Sequence, residues 1–291
     1  MTDANRQVHL ASRPHGEPTR DDFKVVDAPL PDPANNEVLV ATRYLSVDPY
    51  MRAQMRGRWP VGEVMRAGVV GEVVESRADG FAEGDLVTGS GVLQELDWAE
   101  YTLATPDQLA TLDPDLGPPS AHLSVLGMTG RTAYFGMLDV GDPTPGDTVV
   151  VSGAAGAVGS VAGQLARLAG ARVVGTAGSE AKVKWLTGEL GFDAAVNYRT
   201  ADDVESVLTE ACPDGVDVYF DNVGGEITDA VASLANANAR FAVCGQIAHY
   251  NEAGEPTGPR LLSRIWTARI EKFTVSQYEH RFDRATARLA D

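Results

Sequence analysis

The chain has 291 residues, 44% of them hydrophobic, enough to bury a sizeable core in two domains. It contains no apolar run long enough to span a bilayer, and its formal charge of −17 would repel nucleic-acid phosphates, so neither membrane nor nucleic acid is an expected partner. Two cysteines, Cys212 and Cys244, cannot make a disulfide framework, and the Cys and His residues lack ligand spacing, so no metal site is expected.

Residues 1–20 are polar and carry no apolar signal region, which, with the sparse cysteines, points to a reducing, cytoplasmic setting. Of the 24 basic residues only four are lysines: Lys24, Lys182, Lys184 and Lys272. An acidic, lysine-poor surface resembles those of halophilic proteins, in which carboxylates hold water and salt screens their repulsion. An ordinary acidic cytosolic protein is the alternative.

Up to about residue 115, short strand-like runs at 37–48, 68–76, 85–88 and 98–104 are cut by turn residues: Pro31-Asp32-Pro33, Ala78-Asp79-Gly80 and Glu83-Gly84-Asp85. Closely spaced strands with such breaks predict a compact antiparallel, barrel-like domain. The stretch from Asp113-Pro114 to Pro118-Pro119 marks a boundary, giving domains at 1–118 and 119–291.

Beyond it the rhythm changes. A helix is predicted over 122–138; then apolar runs at 148–152, 172–176, 194–197, 217–221, 240–244 and 269–275 alternate with helical windows of about ten residues. This predicts an α/β fold with a doubly wound, six-stranded parallel sheet of the Rossmann kind. After the first of these strands comes Ser152-Gly153-Ala154-Ala155-Gly156-Ala157-Val158-Gly159-Ser160, small residues that open a helical pattern (Val161, Leu165, Leu168). Unpaired N–H groups and the positive end of the helix dipole suit a pyrophosphate there, so Ala155, Gly156, Ala157, Val158 and Gly159 form a candidate dinucleotide cradle. Gly156 would let the backbone approach the phosphates and Gly159 would let helix and sheet pack closely, although Ala154 stands where the first glycine of G-x-G-x-x-G belongs.

An NAD site usually carries an acid at the tip of the second strand; here the tip reads Gly175-Thr176-Ala177-Gly178-Ser179. Lys182 follows at about the third position of a helix capped by Ser179, an ill-suited place for a cation beside the positive helix end. A nearby phosphate accounts for it, so the pattern predicts NADPH, with Lys182 on the 2′-phosphate and Lys184 a solvated surface residue.

Longer motifs carry a resemblance. They are Tyr44-Leu45-Ser46-Val47-Asp48-Pro49-Tyr50-Met51-Arg52, Leu126-Gly127-Met128-Thr129-Gly130, the turn at 154–160, Asn197-Tyr198, Phe220-Asp221-Asn222-Val223-Gly224-Gly225-Glu226, and Cys244-Gly245-Gln246-Ile247 leading to Tyr250-Asn251. On these, which cover nearly the whole chain, it resembles the zinc-free medium-chain dehydrogenase/reductases. The match is to the prostaglandin reductase/leukotriene B4 12-hydroxydehydrogenase-like group of double-bond reductases.

The resemblance implies a GroES-like β-barrel domain ahead of the Rossmann domain, and a homodimer. It implies that Tyr198 joins Lys182 on the 2′-phosphate, that Asn222 and Cys244, Gly245, Gln246 and Ile247 line the coenzyme towards its nicotinamide, and that Met128 packs near that ring. Tyr250 would stand over the substrate, and Tyr50 would face it from the other domain or serve only as pocket wall. The implied reaction is reduction of a carbon–carbon double bond conjugated to a carbonyl, with hydride from NADPH to the β-carbon and Tyr250 stabilising the oxyanion. Related chains continue past the helical pattern at 282–289, so the sequence reads as a fragment or as a protein truncated at the C-terminus, and the first domain as incomplete. Quinone reduction by the same superfamily and an inactive NADPH-binding form are the alternatives; a zinc alcohol dehydrogenase lacks its ligands here.

Overall fold

The structure, a computed structural model, describes residues 4–252 and 267–291. Two compact units are present, one running to Met128 and one from Thr129 to Leu289.

In the first unit, β1 (Ala4–Leu10) and β2 (Phe23–Pro29) pair as an antiparallel ribbon. Then come β3 (Val38–Leu45), α1 (Tyr50–Met55), β4 (Arg66–Ser76), β5 (Leu86–Gly89), β6 (Glu95–Asp97), β7 (Tyr101–Ala104) and β8 (Leu109–Thr111). The sheet order is β7-β3-β4-β5-β8, with β6 on β4, and every pairing is antiparallel. Val38 and Val40 on β3 and Val69 and Val73 on β4 turn the same way, as a period of two requires, and meet Val87, Leu96 and Leu109 in a core. The predicted run at 98–104 is strand only in its second half.

The second unit opens on α2 (Met128–Phe135), which begins at the unit boundary. The helix predicted over 122–138 is instead three pieces: a 3-10 turn Pro119–Leu123, α2, and a wider π turn Gly136–Gly141. Between the first two, a tight turn in which the Gly127 N–H donates to Ser124 O (3.1 Å) breaks the helical ladder.

There follow β9 (Thr148–Val151), α3 (Ala157–Leu168), β10 (Arg172–Ala177), α4 (Glu180–Gly188), β11 (Ala194–Asn197), α5 (Val204–Ala211), β12 (Val216–Asp221), α6 (Gly225–Ser233), β13 (Ala235–Val243), β14 (Arg269–Lys272) and α7 (Phe282–Ala290). The six strands pair in parallel in the order β11-β10-β9-β12-β13-β14, the doubly wound arrangement read from the sequence. β9 is four fully buried residues, as a strand covered on both faces must be. Val149 and Val151 face Ala162 and Ala166 of α3 and Phe192, whereas Val150 faces the opposite core with Val174, Leu208 of α5 and Val231 of α6. The winding reverses between β9 and β12, which puts a crevice at the carboxyl ends of those strands, where open α/β sheets bind ligands. Among the described residues no helix is long and apolar enough to cross a membrane, and no group of three or more His, Cys, Asp or Glu could hold a metal.

Candidate coenzyme and substrate site

The turn after β9 leads directly into α3, whose N-cap is Gly156 in extended backbone (φ −84°, ψ 171°). Glycine brings no side chain to cap the helix, so the amides of Ala157, Val158 and Gly159 stand at an end that carries partial positive charge. The turn is held by the Gly156 N–H donating to Gly153 O (2.9 Å) and the Ala154 N–H to Thr176 O (3.0 Å) on β10. A Cβ at Gly159 would stand 2.4 Å from the Gly153 carbonyl oxygen, so α3 seats hard against the turn and only glycine fits. This is an anion cradle built of backbone.

At the next strand tip, α4 starts at Glu180 with Ser179 as N-cap, whose Oγ accepts from the Lys182 N–H at 3.4 Å. Lys182 is therefore the third helical residue, as its sequence position predicts, and its side chain is exposed. Tyr198 follows β11, half-buried, with its hydroxyl over Gly178: a Cβ there would lie 3.0 Å from Tyr198 Oη and 3.1 Å from Arg199 Nε. The Asn197 amide donates to Glu180 Oε1 (2.7 Å), tying the end of β11 to the start of α4. Arg199 is a residue the sequence reading missed. Its only signal was adjacency to Tyr198 in a chain with many arginines.

The far end of the crevice is organised by Asp221, the last residue of β12 and 1% exposed. Its Oδ1 accepts from Ser152 Oγ (3.1 Å), Tyr219 Oη (2.9 Å) and the backbone N–H groups of Val223 (3.0 Å) and Gly224 (2.8 Å); Oδ2 accepts from Thr228 Oγ1 (2.9 Å). Its carbonyl oxygen accepts from the N–H groups of Cys244 (2.9 Å) and Gly245 (3.0 Å). Asn222 donates from its N–H to Ser152 Oγ (2.9 Å) and from its side-chain amide to Ser152 O (2.8 Å), and its own carbonyl takes the Ile247 N–H (3.4 Å). The ends of β9, β12 and β13 are thereby locked together.

Gln246 opens the short turn Ile247–His249, and Tyr250 closes it with its hydroxyl over Gly245, where a Cβ would come within 3.2 Å. Asn222, Cys244, Gly245, Gln246, Ile247 and Tyr250 therefore lie in one neighbourhood. Burial raises the Tyr250 phenol above its ordinary range, against a backbone hydrogen bond at Gln246 that lowers it, so the hydroxyl keeps its proton at neutral pH. Burial, with the Asp221 charge behind it, pushes the Cys244 thiol up to about 12.

In the first unit, Tyr50 is the first residue of α1. Its hydroxyl is buried and unpartnered; burial first, then the nearby Glu95 carboxylate, keep the phenol protonated. Glu95 Oε1 is buried without a hydrogen-bond partner as well. Met128, half-buried, donates its N–H to Gln94 Oε1 (3.3 Å), and Gln94 Nε2 donates to Thr88 Oγ1 (3.2 Å). Gln94, a second residue the sequence reading missed, is 5% exposed and adopts φ +54°, a left-handed backbone that costs energy in a non-glycine residue.

A parallel sheet in this order, with an uncapped, glycine-tight helix start at its crossover and an antiparallel unit before it, defines a two-domain, dinucleotide-binding protein of the dehydrogenase/reductase class. Residues 6–112 match the family model described as the N-terminal domain of oxidoreductase, and residues 157–290 the model described as zinc-binding dehydrogenase. The NADPH-dependent curcumin reductase of Escherichia coli (strain K12) is 41% identical over 95% of this chain and 82% of its own length. Prostaglandin reductase 1 of Oryctolagus cuniculus is 43% identical over 91% of this chain and 75% of its own. The crystal structure of CurA in complex with NADPH from Vibrio vulnificus superposes with a TM-score of 0.88 at 38% identity, covering 98% of this chain and 86% of that one. The chain belongs to the medium-chain dehydrogenase/reductase family, in its zinc-free, double-bond-reductase-like group.

Proposed function

We propose that this chain reduces the carbon–carbon double bond of α,β-unsaturated ketones and aldehydes with NADPH. The observation that carries the reading is the gathering of Asn222, Cys244–Ile247 and Tyr250 at the carboxyl ends of β12 and β13, tied through Ser152 to the strand that feeds the open amides of α3. The residues fit the coenzyme. Ala155, Gly156, Ala157, Val158 and Gly159 form a cradle for a pyrophosphate; Tyr198 and Arg199 offer donors beside Gly178, and Lys182, exposed in the first turn of α4, a further cation, for a 2′-phosphate. The curcumin and prostaglandin reductases among its relatives support the substrate class.

When bound, NADPH supplies the hydride that reaches the β-carbon. The chain's work is alignment and charge stabilisation. Tyr250, held protonated by burial, donates a hydrogen bond to the carbonyl oxygen, where negative charge collects as the enolate forms. Water or Tyr250 then returns a proton to the α-carbon. Met128 and Tyr50, both of the first unit, are assigned supporting roles towards nicotinamide and substrate, and Tyr50, whose hydroxyl is buried, is not assigned proton transfer.

Residues 1–118 are assigned as the GroES-like substrate domain and 119–291 as the NADP-binding domain. A homodimer is supported by β14, an edge strand whose four residues are all exposed. Two free cysteines suit a reducing cytoplasm, and the acidic, lysine-poor composition suits high salt. The test is a panel of enones and alkenals with NADPH or NADH in molar KCl, following the absorbance of the reduced nicotinamide. Turnover of enones with NADPH is expected; NADPH bound but oxidised only by benzoquinones, or by nothing, would overturn the assignment.

A further inference from the structure

We infer that the buried Asp221 carboxylate sets the redox preference of this site, favouring the oxidised, positively charged nicotinamide over the reduced, neutral one. Bound NADPH thereby becomes a stronger hydride donor. The inference rests on the coenzyme site read above.

The chemistry fixes the sign. As the C4–H electron pair leaves with the hydride for the substrate's β-carbon, that bond breaks, a carbon–hydrogen bond forms, and the nicotinamide ring goes from neutral to one positive charge. A fixed negative charge nearby stabilises the second state and leaves the first almost untouched.

Asp221 is such a charge. It is 1% exposed, all five partners of its carboxylate, three hydroxyls and two backbone N–H groups, can donate hydrogen to it, and among the described residues no Lys, Arg or His forms an ion pair with it. Its negative charge is therefore satisfied by dipoles but not neutralised. The carboxylate lies against Ser152 and the Val223 and Gly224 amides, the carbonyl of the same residue accepts from Cys244 and Gly245, and the field of the charge reaches the Cys244 thiol. Burying a charge is costly. A neutral amide would serve mere bridging with much of the same geometry, and the retained carboxylate points to a use for the charge itself.

The test is Asp221→Asn, nearly isosteric: its Oδ1 can keep accepting from the Val223 and Gly224 N–H groups while its amide donates to Thr228 Oγ1. Dissociation constants for NADPH (by its fluorescence) and NADP+ (by competition) are measured in the unliganded protein. A fixed unit charge within the same site, at an effective dielectric constant of about 20, changes an equilibrium on the order of tenfold. The ratio of the NADP+ to the NADPH constant is expected to rise by that order in Asp221→Asn and to return towards wild type in Asp221→Glu, which moves the group but keeps the charge. A purely structural role would weaken both coenzymes together. An unmoved ratio in folded Asp221→Asn overturns the inference; if that variant does not fold, Asp221→Ser, whose smaller side chain leaves room for a water among the same donors, carries the same expectation. Failure of the wild type to bind either coenzyme would instead overturn the reading of the site.

Discussion

Replacing Gly159 by alanine probes the phosphate turn without altering any charge. The new Cβ would stand 2.4 Å from Gly153 O, 2.8 Å from Ala154 Cα and 3.0 Å from the Gly153 carbonyl carbon, all backbone atoms. Carbon contacts settle at about 3.5–4.0 Å, so the start of α3 must withdraw by roughly 1 Å. Overpacking of this kind costs about 1–3 kcal/mol, and alanine's better helix propensity offsets about 1 kcal/mol, leaving a loss of about 0–2 kcal/mol in urea unfolding. Coenzyme binding should suffer more. A withdrawal of roughly 1 Å takes an amide–phosphate contact of about 2.9 Å out of hydrogen-bonding range, and one charge-assisted bond is worth about 1.5–3 kcal/mol, or roughly 10- to 150-fold in Kd. The loss should be equal for NADPH and NADH, which share the pyrophosphate. Fluorescence titration of the reduced coenzymes measures it, with Gly188→Ala as control because a Cβ there meets nothing within 4 Å. Wild-type affinity in Gly159→Ala, or a loss confined to NADPH, would refute the placement of the pyrophosphate.

Lys182→Glu should weaken NADPH by at least about tenfold and leave NADH within about twofold, an effect that shrinks as salt rises; Arg199→Glu should behave alike. Equal effects on both coenzymes would remove the 2′-phosphate assignment. Tyr250→Phe should lower turnover of an enone roughly ten- to a thousandfold while NADPH affinity holds, and undiminished turnover would deny Tyr250 its role. Burial pushes the Cys212 thiol from about 9 up to about 11. As pH rises past 9 the unfolded chain alone releases that proton, so stability falls, by about 3 kcal/mol in total by pH 11. Cys212→Ala should lessen the alkaline decline in urea titrations by about that amount, with the Cys244 share remaining, and an unchanged slope would refute the Cys212 contribution.

The dinucleotide unit was legible because its strands are apolar runs buried on both faces, a signal that needs no partner to be seen. β13 begins at Ala235, earlier than the run at 240–244, because its first half, Ala-Asn-Ala-Asn-Ala, holds no large apolar residue. β1 and β2 were missed for a related reason: Asn5, Arg6, Gln7 and His9 mask the alternation of a strand that buries little. At the site, Lys182 and its Ser179 cap were readable because capping spans three residues. Arg199, Gln94 and Asp221 were not. Gln94 matters through Met128, 34 positions away, and Asp221 through a serine 69 positions back, and no local pattern encodes such pairings.

The outer strand β14 reads Arg269-Ile270-Glu271-Lys272 and, among the described residues, has no strand along one border. Two copies meeting there antiparallel would be sensitive to a slip of one position. Centred on Ile270, each Arg269 lies across from the other copy's Glu271, cation against anion on both sides of the axis. Shifted by one, Arg269 confronts Lys272 and Ile270 faces a carboxylate. Four residues thus contain their own alignment rule, and reversing the charge at position 271 would erase it.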